Sequence, residues 1–406
     1  MKKSKSANSK KYVIISAIFI AILAAISLFI FLLPRDYSIA FYRIEDQQRQ
    51  GIISVIDSLG IKQKITYITY DSDKSLKEQI PLTKKPDMII TISGFALDSA
   101  IDRASGNASL SNSLSTGMTS SIRGAIRSQN DKITALPFLS SHMEADIDLR
   151  EFQNSETKQI NSWRDVEKFM KEQKKRKDSP MIFAGGTPEF MLDFMGAFAE
   201  SLDGIDSYNQ TVKILTDNSE KFNPVRVAIR LCDEPDSPFA TSIKHLKDWY
   251  KQGFMHPGTF SMTKNDVEGF ASSALSSVLF MSLENHRSMS QNAISRYTSI
   301  YFPSDRSANS RIFTGKTYFA IPLKKSNTSA IIAEGLVNND IQEKLSRTTG
   351  LAPVLAQCRT PDKQSNDARY WIAATSAPLP GISNEVYLTK EQKTALAAEL
   401  AARIRE

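Results

Sequence analysis

Cysteine is nearly absent from this 406-residue chain, which carries two, Cys232 and Cys358, and histidine is scarce, with four. Two cysteines exclude a disulfide-stapled scaffold and allow at most one bridge; two buried free thiols fit equally well. His142, His245, His256 and His286 lack the spacing of a zinc-protease helix. No Gly-x-Ser-x-Gly elbow and no phosphate-binding loop occurs, which argues against the common serine-hydrolase and nucleotide-hydrolysing architectures. A Ser-x-x-Lys match at Ser155–Lys158 falls in a polar loop and carries no chemistry. The expectation is a protein that is not an enzyme and has no cofactor and no metal.

Acidic residues are missing from the start of the chain, with none before Asp36, whereas Lys2, Lys3, Lys5, Lys10 and Lys11 all fall there. Removing these five from the 51 basic residues leaves 46 against 44 acidic ones, so most of the net charge of +7 belongs to the tail. Nothing beyond it has the clustered lysines and arginines of a nucleic-acid surface.

Charge of either sign is absent from Tyr12 to Leu33, twenty-two residues. As a helix this run is about 33 Å long, against a hydrocarbon core of roughly 30 Å. A secretory signal has a shorter apolar region, about 7–15 residues, before a small-x-small cleavage site. Pro34-Arg35-Asp36 offers no such site, and no cysteine lies nearby for lipoprotein processing. Residues 12–33 are therefore expected to be an uncleaved anchor and residues 1–11 a cytoplasmic basic tail, with the rest extracytoplasmic. That describes a single-pass protein of the cytoplasmic membrane.

After the anchor, apolar runs with strand character (37–43, 64–70, 88–93) alternate with helical periodicity over 47–59 and a short helix near 73–80. This alternation, with short connections, predicts an α/β fold built on a mainly parallel sheet. Residues 105–121, rich in Ser, Gly and Asn, read as a loop. Strand character returns at 132–138, 180–184, 276–281 and 298–303, and residues 311–321 read as paired strands. Helices are expected over 163–175, 188–202, 225–231, 237–253, 265–274, 284–295, 330–338, 341–346 and 390–405.

Six segments in order carry a family resemblance: KPDMIITISGFALDSAI, KITALPFLSSHMEADID, INSWRDVEKFMKE, VEGFASSALSSVLFMSLENH, TTGLAPVLAQC and SAPLPGI. Together they resemble the extracellular solute-binding proteins of ABC importers, in the maltodextrin- and sugar-binding group, over residues 38–405. The resemblance implies a two-lobed, periplasmic-binding-protein-like clamp, each lobe a mainly parallel sheet flanked by helices, with the chain crossing between lobes three times. On this basis residues 36–137 and 256–318 are assigned to the first lobe, and 138–255 and 319–406 to the second. It also implies a monomer that passes a small polar solute, such as a sugar or sugar acid, to an ABC permease. A sensor or scaffold that keeps the fold without transport is the alternative.

Ligands of such clamps sit beyond strand ends, so residues there are the candidates. Arg43 and Glu45 follow the first strand and offer a donor fork and an acceptor pair. Ser93, Gly94 and Phe95 follow the third; Gly185, Gly186 and Thr187 precede a helix and could present backbone N–H groups. In sugar binders of the group an aromatic residue often follows the methionine-containing strand. Here Glu284, Asn285, His286 and Arg287 stand there instead, which favours an acidic or strongly polar ligand. Tyr387 is placed where the family supplies an aromatic wall. Trp163 is read as structural, and Trp249 and Trp371 as core residues.

Overall fold

The computed structural model describes residues 35–81, 84–104, 108–304, 313–374 and 378–406; the tail and anchor expected over 1–33 lie outside them. Among the described residues no helix is long and apolar enough to cross a membrane. The described residues form eleven strands: β1 Tyr37–Phe41, β2 Ile65–Thr69, β3 Met88–Ile92, β4 Arg127–Gln129, β5 Lys132–Asp148, β6 Met181–Phe183, β7 Val278–Ser282, β8 Tyr297–Ile300, β9 Phe313–Pro322, β10 Ala352–Pro353 and β11 Pro378–Pro380.

Strand β5 organises the rest. It runs for seventeen residues and is buried almost throughout. Its first part pairs antiparallel with β9, in the order β2-β1-β3-β9-β5. Its last part pairs antiparallel with β7 and β8, and β6 adds parallel to β7. Each half of β5 serves a separate apolar core. One contains Ile39, Phe41, Ile52, Val55, Ile90, Phe138, Phe319 and Leu345. The other contains Met143, Ile147, Trp163, Phe194, Phe198, Trp249, Phe280 and Phe302, with Leu400 and Ile404 from the terminal helix. These cores define two lobes.

The sheets are mixed, not mainly parallel as expected. Among the described strands, β1–β2, β1–β3, β6–β7 and β9–β11 pair parallel and the other pairs are antiparallel. The long strands β5 and β9 oppose one another and every major neighbour, because each carries the chain from one lobe towards the other. The cores also group the chain differently from the expected division: residues 278–302 belong with 143–271, and 318–351 with 37–139.

Local chemistry accounts for the main helices. Ser162 and Asp165 close a capping box at the start of the helix Trp163–Gln173, and Trp163 is buried, its Nε1 donating to Ser201 Oγ at 2.8 Å. Thr389 and Gln392 do the same for the helix Lys390–Arg405, which lays Leu396, Leu400 and Ile404 on the second core. The helix expected over 284–295 is two, Leu283–Ser288 and Gln291–Arg296, because Met289 and Ser290 are extended. Within 105–121, Asn112–Ser115 forms a 3₁₀ turn, and Leu114 joins a small apolar cluster on the first lobe, whereas 105–107 lie outside the described residues. Helices Ile205–Asn218 and Lys363–Ala374 had no counterpart in the sequence reading. The pair expected over 311–321 is the single strand β9, of which 313–322 are described. Cys232 and Cys358 are both free and buried.

Where β9 crosses β5, Gly315 faces the Ser141 carbonyl, and a Cβ there would lie 2.7 Å from His142 Cα. Both neighbours are backbone and have no side-chain end to move aside. Gly315→Ala is expected to destabilise the protein by about 1–3 kcal/mol, read as a lower urea midpoint at unchanged slope.

Candidate functional site

Between the lobes lies a cavity of about 330 Å³ lined by Arg43, Ile44, Glu45, Ser72, Asp73, Ile92, Thr187, Glu189, Lys316, Asn384 and Lys393. Arg43 to Asp73 and Ile92 come from the first lobe and Thr187, Glu189 and Lys393 from the second, whereas Lys316 lies on the crossing strand β9. A larger hollow of about 770 Å³ lies around Ser109–Asn112, Gln129–Lys132 and Lys325. No second-lobe residue lines it, so it is not the candidate. The interlobe cavity falls in the range of small-molecule sites, roughly 300–1,000 Å³.

Arg43 sits two residues beyond the end of β1, after the buried Tyr42, in a left-handed conformation, φ 56°. Non-glycine residues rarely adopt that region, and where they do the surroundings hold them there. Three rings supply the hold. The guanidinium carbon lies 5.6 Å from the Tyr42 ring centre, 5.8 Å from that of Phe95 and 5.8 Å from that of Tyr387. Phe95 and Tyr387 are themselves in contact, 4.9 Å between centres, and the Tyr387 hydroxyl donates to the Asp73 carbonyl at 3.1 Å. Nε and Nη1 of Arg43 are buried and have no hydrogen-bond partner. A buried donor without an acceptor costs about 1–3 kcal/mol.

Lys316 ties the floor together. Its Nζ donates to Glu45 Oε1 at 3.2 Å and to Glu284 Oε1 at 3.1 Å. Burial works against the ammonium charge, but Glu284 and Glu45 outweigh it and raise its pKa well above the ordinary value. Glu45 is held below the ordinary carboxylate value, first by Lys316 and then, against burial, by Lys264. Glu284 is buried and also accepts from the Ser141 hydroxyl. Deeper still, burial raises the pKa of Asp193, which accepts from the Ser383 N–H at 2.8 Å. Lys393 pairs with Glu189 at 3.4 Å, and burial together with Arg43 lowers its pKa. The lining therefore offers cations and carboxylates in alternation, suited to a polar solute with both hydroxyl and acidic groups.

No family model matches the sequence, and no curated protein matches it. Solved structures do match in shape. The bacterial solute receptor AcbH, described as having an exclusive preference for β-D-galactopyranose, superposes with a TM-score of 0.66 at 10% identity, over 91% of this chain and 98% of that one. The GacH receptor of Streptomyces glaucescens, solved unliganded and with acarbose, gives 0.61 at 10% identity over 91% and 94%. A sugar transporter from Bacillus licheniformis in complex with stachyose gives 0.61 at 12% identity over 91% and 98%. The fold is that of the two-lobed solute receptors.

On this receptor fold the expected site residues separate into groups. Arg43, Glu45 and Thr187 line the cavity, and Phe95 and Tyr387 wall Arg43. Ser93 instead pairs with the crossing strand, its N–H donating to the Thr317 carbonyl at 2.8 Å and its Oγ accepting from the Thr317 N–H at 3.2 Å. Gly94, φ 90°, begins a helix where a Cβ would strike the Asn384 backbone. Gly185 and Gly186 pack against the backbone of Thr259–Met262 and do not line the cavity. Of the 284–287 cluster, only Glu284 reaches it, through Lys316. Asn285 lines a separate void of about 20 Å³. His286 is buried among carboxylates, and Arg287 is paired with Asp362 and Ser365. Lys316, Lys393, Asn384, Asp73 and Glu189 were not anticipated. Trp163 and Trp249 are core residues; Trp371 lies edge-on to His142 at 4.9 Å.

Lys316→Met would strand Glu284 in the interior. It is expected to cost about 3–5 kcal/mol in urea unfolding, partly recovered in the Lys316→Met, Glu284→Gln double variant. Because the folded-state pKa of Glu45 is lowered, the unfolded chain takes up its proton first as pH falls. Its contribution is present above about pH 4.3 and is lost as pH drops through the folded value. In Glu45→Gln the decline in melting temperature between about pH 5 and pH 2 should be shallower.

Proposed function

We propose that this chain is the solute receptor of an ABC-type importer. It closes two lobes on a small polar solute, a sugar or more specifically a sugar acid, and hands it to a permease. Residues 12–33 hold it to the cytoplasmic membrane with the lobes outside, it acts as a monomer, and it performs no chemistry on its ligand.

The observation that carries this reading is the Arg43 fork. Two buried N–H donors without hydrogen-bond partners belong to a residue that lies in an aromatic surround and lines the cavity shared by both lobes. A planar guanidinium matches a carboxylate in a bidentate manner, and Phe95 and Tyr387 offer apolar ring faces to the C–H side of a sugar. The cavity suits a small solute better than a long oligosaccharide, and the similar structures described as binding sugars support the same class of ligand.

The test is a thermal-shift and calorimetric screen of the full chain against neutral mono- and oligosaccharides, polyols and sugar acids. Ligand at a hundred times its dissociation constant should add about 2.7 kcal/mol of stability. Arg43→Ala should weaken a sugar acid roughly 10- to 150-fold, the loss of a charge-assisted hydrogen-bond pair. Binding that is indifferent to Arg43 moves the site, and silence across the whole panel removes the receptor reading.

A further inference from the structure

The second half of β5 has an unusual composition for a buried strand. Met143, Ala145 and Ile147 enter the second core, whereas His142, Glu144, Asp146 and Asp148 occupy the alternate face and are all buried. Asp148 is fully used: it accepts from the N–H groups of Arg150 and Glu151 at 3.1 and 3.2 Å and pairs with Arg296. Glu144 and Asp146 converge with His286 from the helix Leu283–Ser288, and one ligating atom from each lies within 4.8 Å of the others.

The contacts in this group exceed what its hydrogens can serve. His286 Nδ1 faces Glu144 Oε2 at 3.0 Å, Asp146 Oδ1 at 3.1 Å and Ser299 Oγ at 3.1 Å. A ring nitrogen carries at most one hydrogen, so it cannot donate to both carboxylates in full. Asp146 Oδ2 and His286 Nε2 have no hydrogen-bond partner although both residues are 0% exposed. His142 faces Glu144, its Nε2 2.9 Å from Oε1, and Asp146 has to share the single Nδ1 of His286 with Glu144. Arg287, next in the chain, is turned to Asp362 and Ser365.

A cation held by His286 Nδ1 and one oxygen of each carboxylate removes the conflict over the Nδ1 hydrogen and places positive charge between the two carboxylates. With bonds of about 2.0–2.1 Å to nitrogen and oxygen, ligand atoms stand about 2.9 Å apart in an octahedron and about 3.3 Å in a tetrahedron. The separations of 3.0 and 3.1 Å fall between these. We propose that Glu144, Asp146 and His286 form a structural site for a first-row divalent cation, with zinc the closest match to its imidazole and carboxylate donors. His142, whose Nε2 lies 2.9 Å from Glu144 Oε1, orients that carboxylate. The ion pins β5 to the helix Leu283–Ser288. The site is separate from the ligand cavity and does not depend on the proposed transport role.

The test uses the purified full chain, stripped with a chelator and titrated with zinc chloride in metal-free buffer. One zinc per chain is expected, with a higher melting temperature that the chelator reverses. Asp146→Asn and His286→Gln should each abolish stoichiometric binding, and His256→Gln, outside the cluster, should keep it. X-ray absorption at the zinc edge of the wild-type chain guards against variants that misfold. It should show only nitrogen and oxygen neighbours with an imidazole signature. Absence of binding for zinc, cobalt and manganese overturns the proposal, as does zinc retained in both cluster variants. Sulfur neighbours, implicating Cys232 or Cys358, overturn it equally.

Discussion

A single strand must satisfy two cores. Because β5 is buried through both lobes, neither of its faces has water to fall back on, and every polar side chain on it needs a partner inside the protein. The first part meets this with apolar residues such as Ile133, Ala135 and Phe138. The last part cannot, and from this follow the converging histidines and carboxylates, the dependence on helix Leu283–Ser288 for a lid, and the close approach of β9 that only glycine permits at position 315. The interlobe cavity is framed by that same crossing, since Lys316 follows Gly315 directly.

Electrostatics in the cleft has a similar logic at smaller cost. Lys316 answers two carboxylates from different parts of the fold, Glu45 beyond β1 and Glu284 beyond β7. Glu284 is deeply buried and dictates where Lys316 lies; Glu45 is about half exposed and adds little on its own. Arg43 is the contrasting case. It has aromatic neighbours in place of a counter-charge, and two of its donors are buried without a hydrogen-bond partner.

Much of the architecture was legible in the sequence because the strands are short, apolar and bounded by turn residues, and the caps at Ser162 and Thr389 mark their helices plainly. Strand direction was less legible: an alternation of strand and helix suggests parallel pairing and says nothing of a chain that doubles back between lobes. Within the site, looking past strand ends found Arg43, Glu45, Phe95 and Thr187. It missed Lys316, which lies inside β9 among apolar residues, and Lys393, hidden in the first turn of a helix that otherwise reads as packing. At Glu284–Arg287 polar density pointed to a binding surface, but composition cannot distinguish groups that face solvent from groups that face each other. The period-two run His142, Glu144, Asp146 does not read as a buried cluster from sequence, because charged residues in a strand normally signal an exposed face.

The two ends of the described chain belong to different halves of the molecule. Tyr37 enters the first core within a few residues of position 35, whereas Leu400 and Ile404 are built into the second. The described chain therefore starts in one core and finishes in the other, so a pull on either end would load one lobe directly and reach the other through the strands that cross between them.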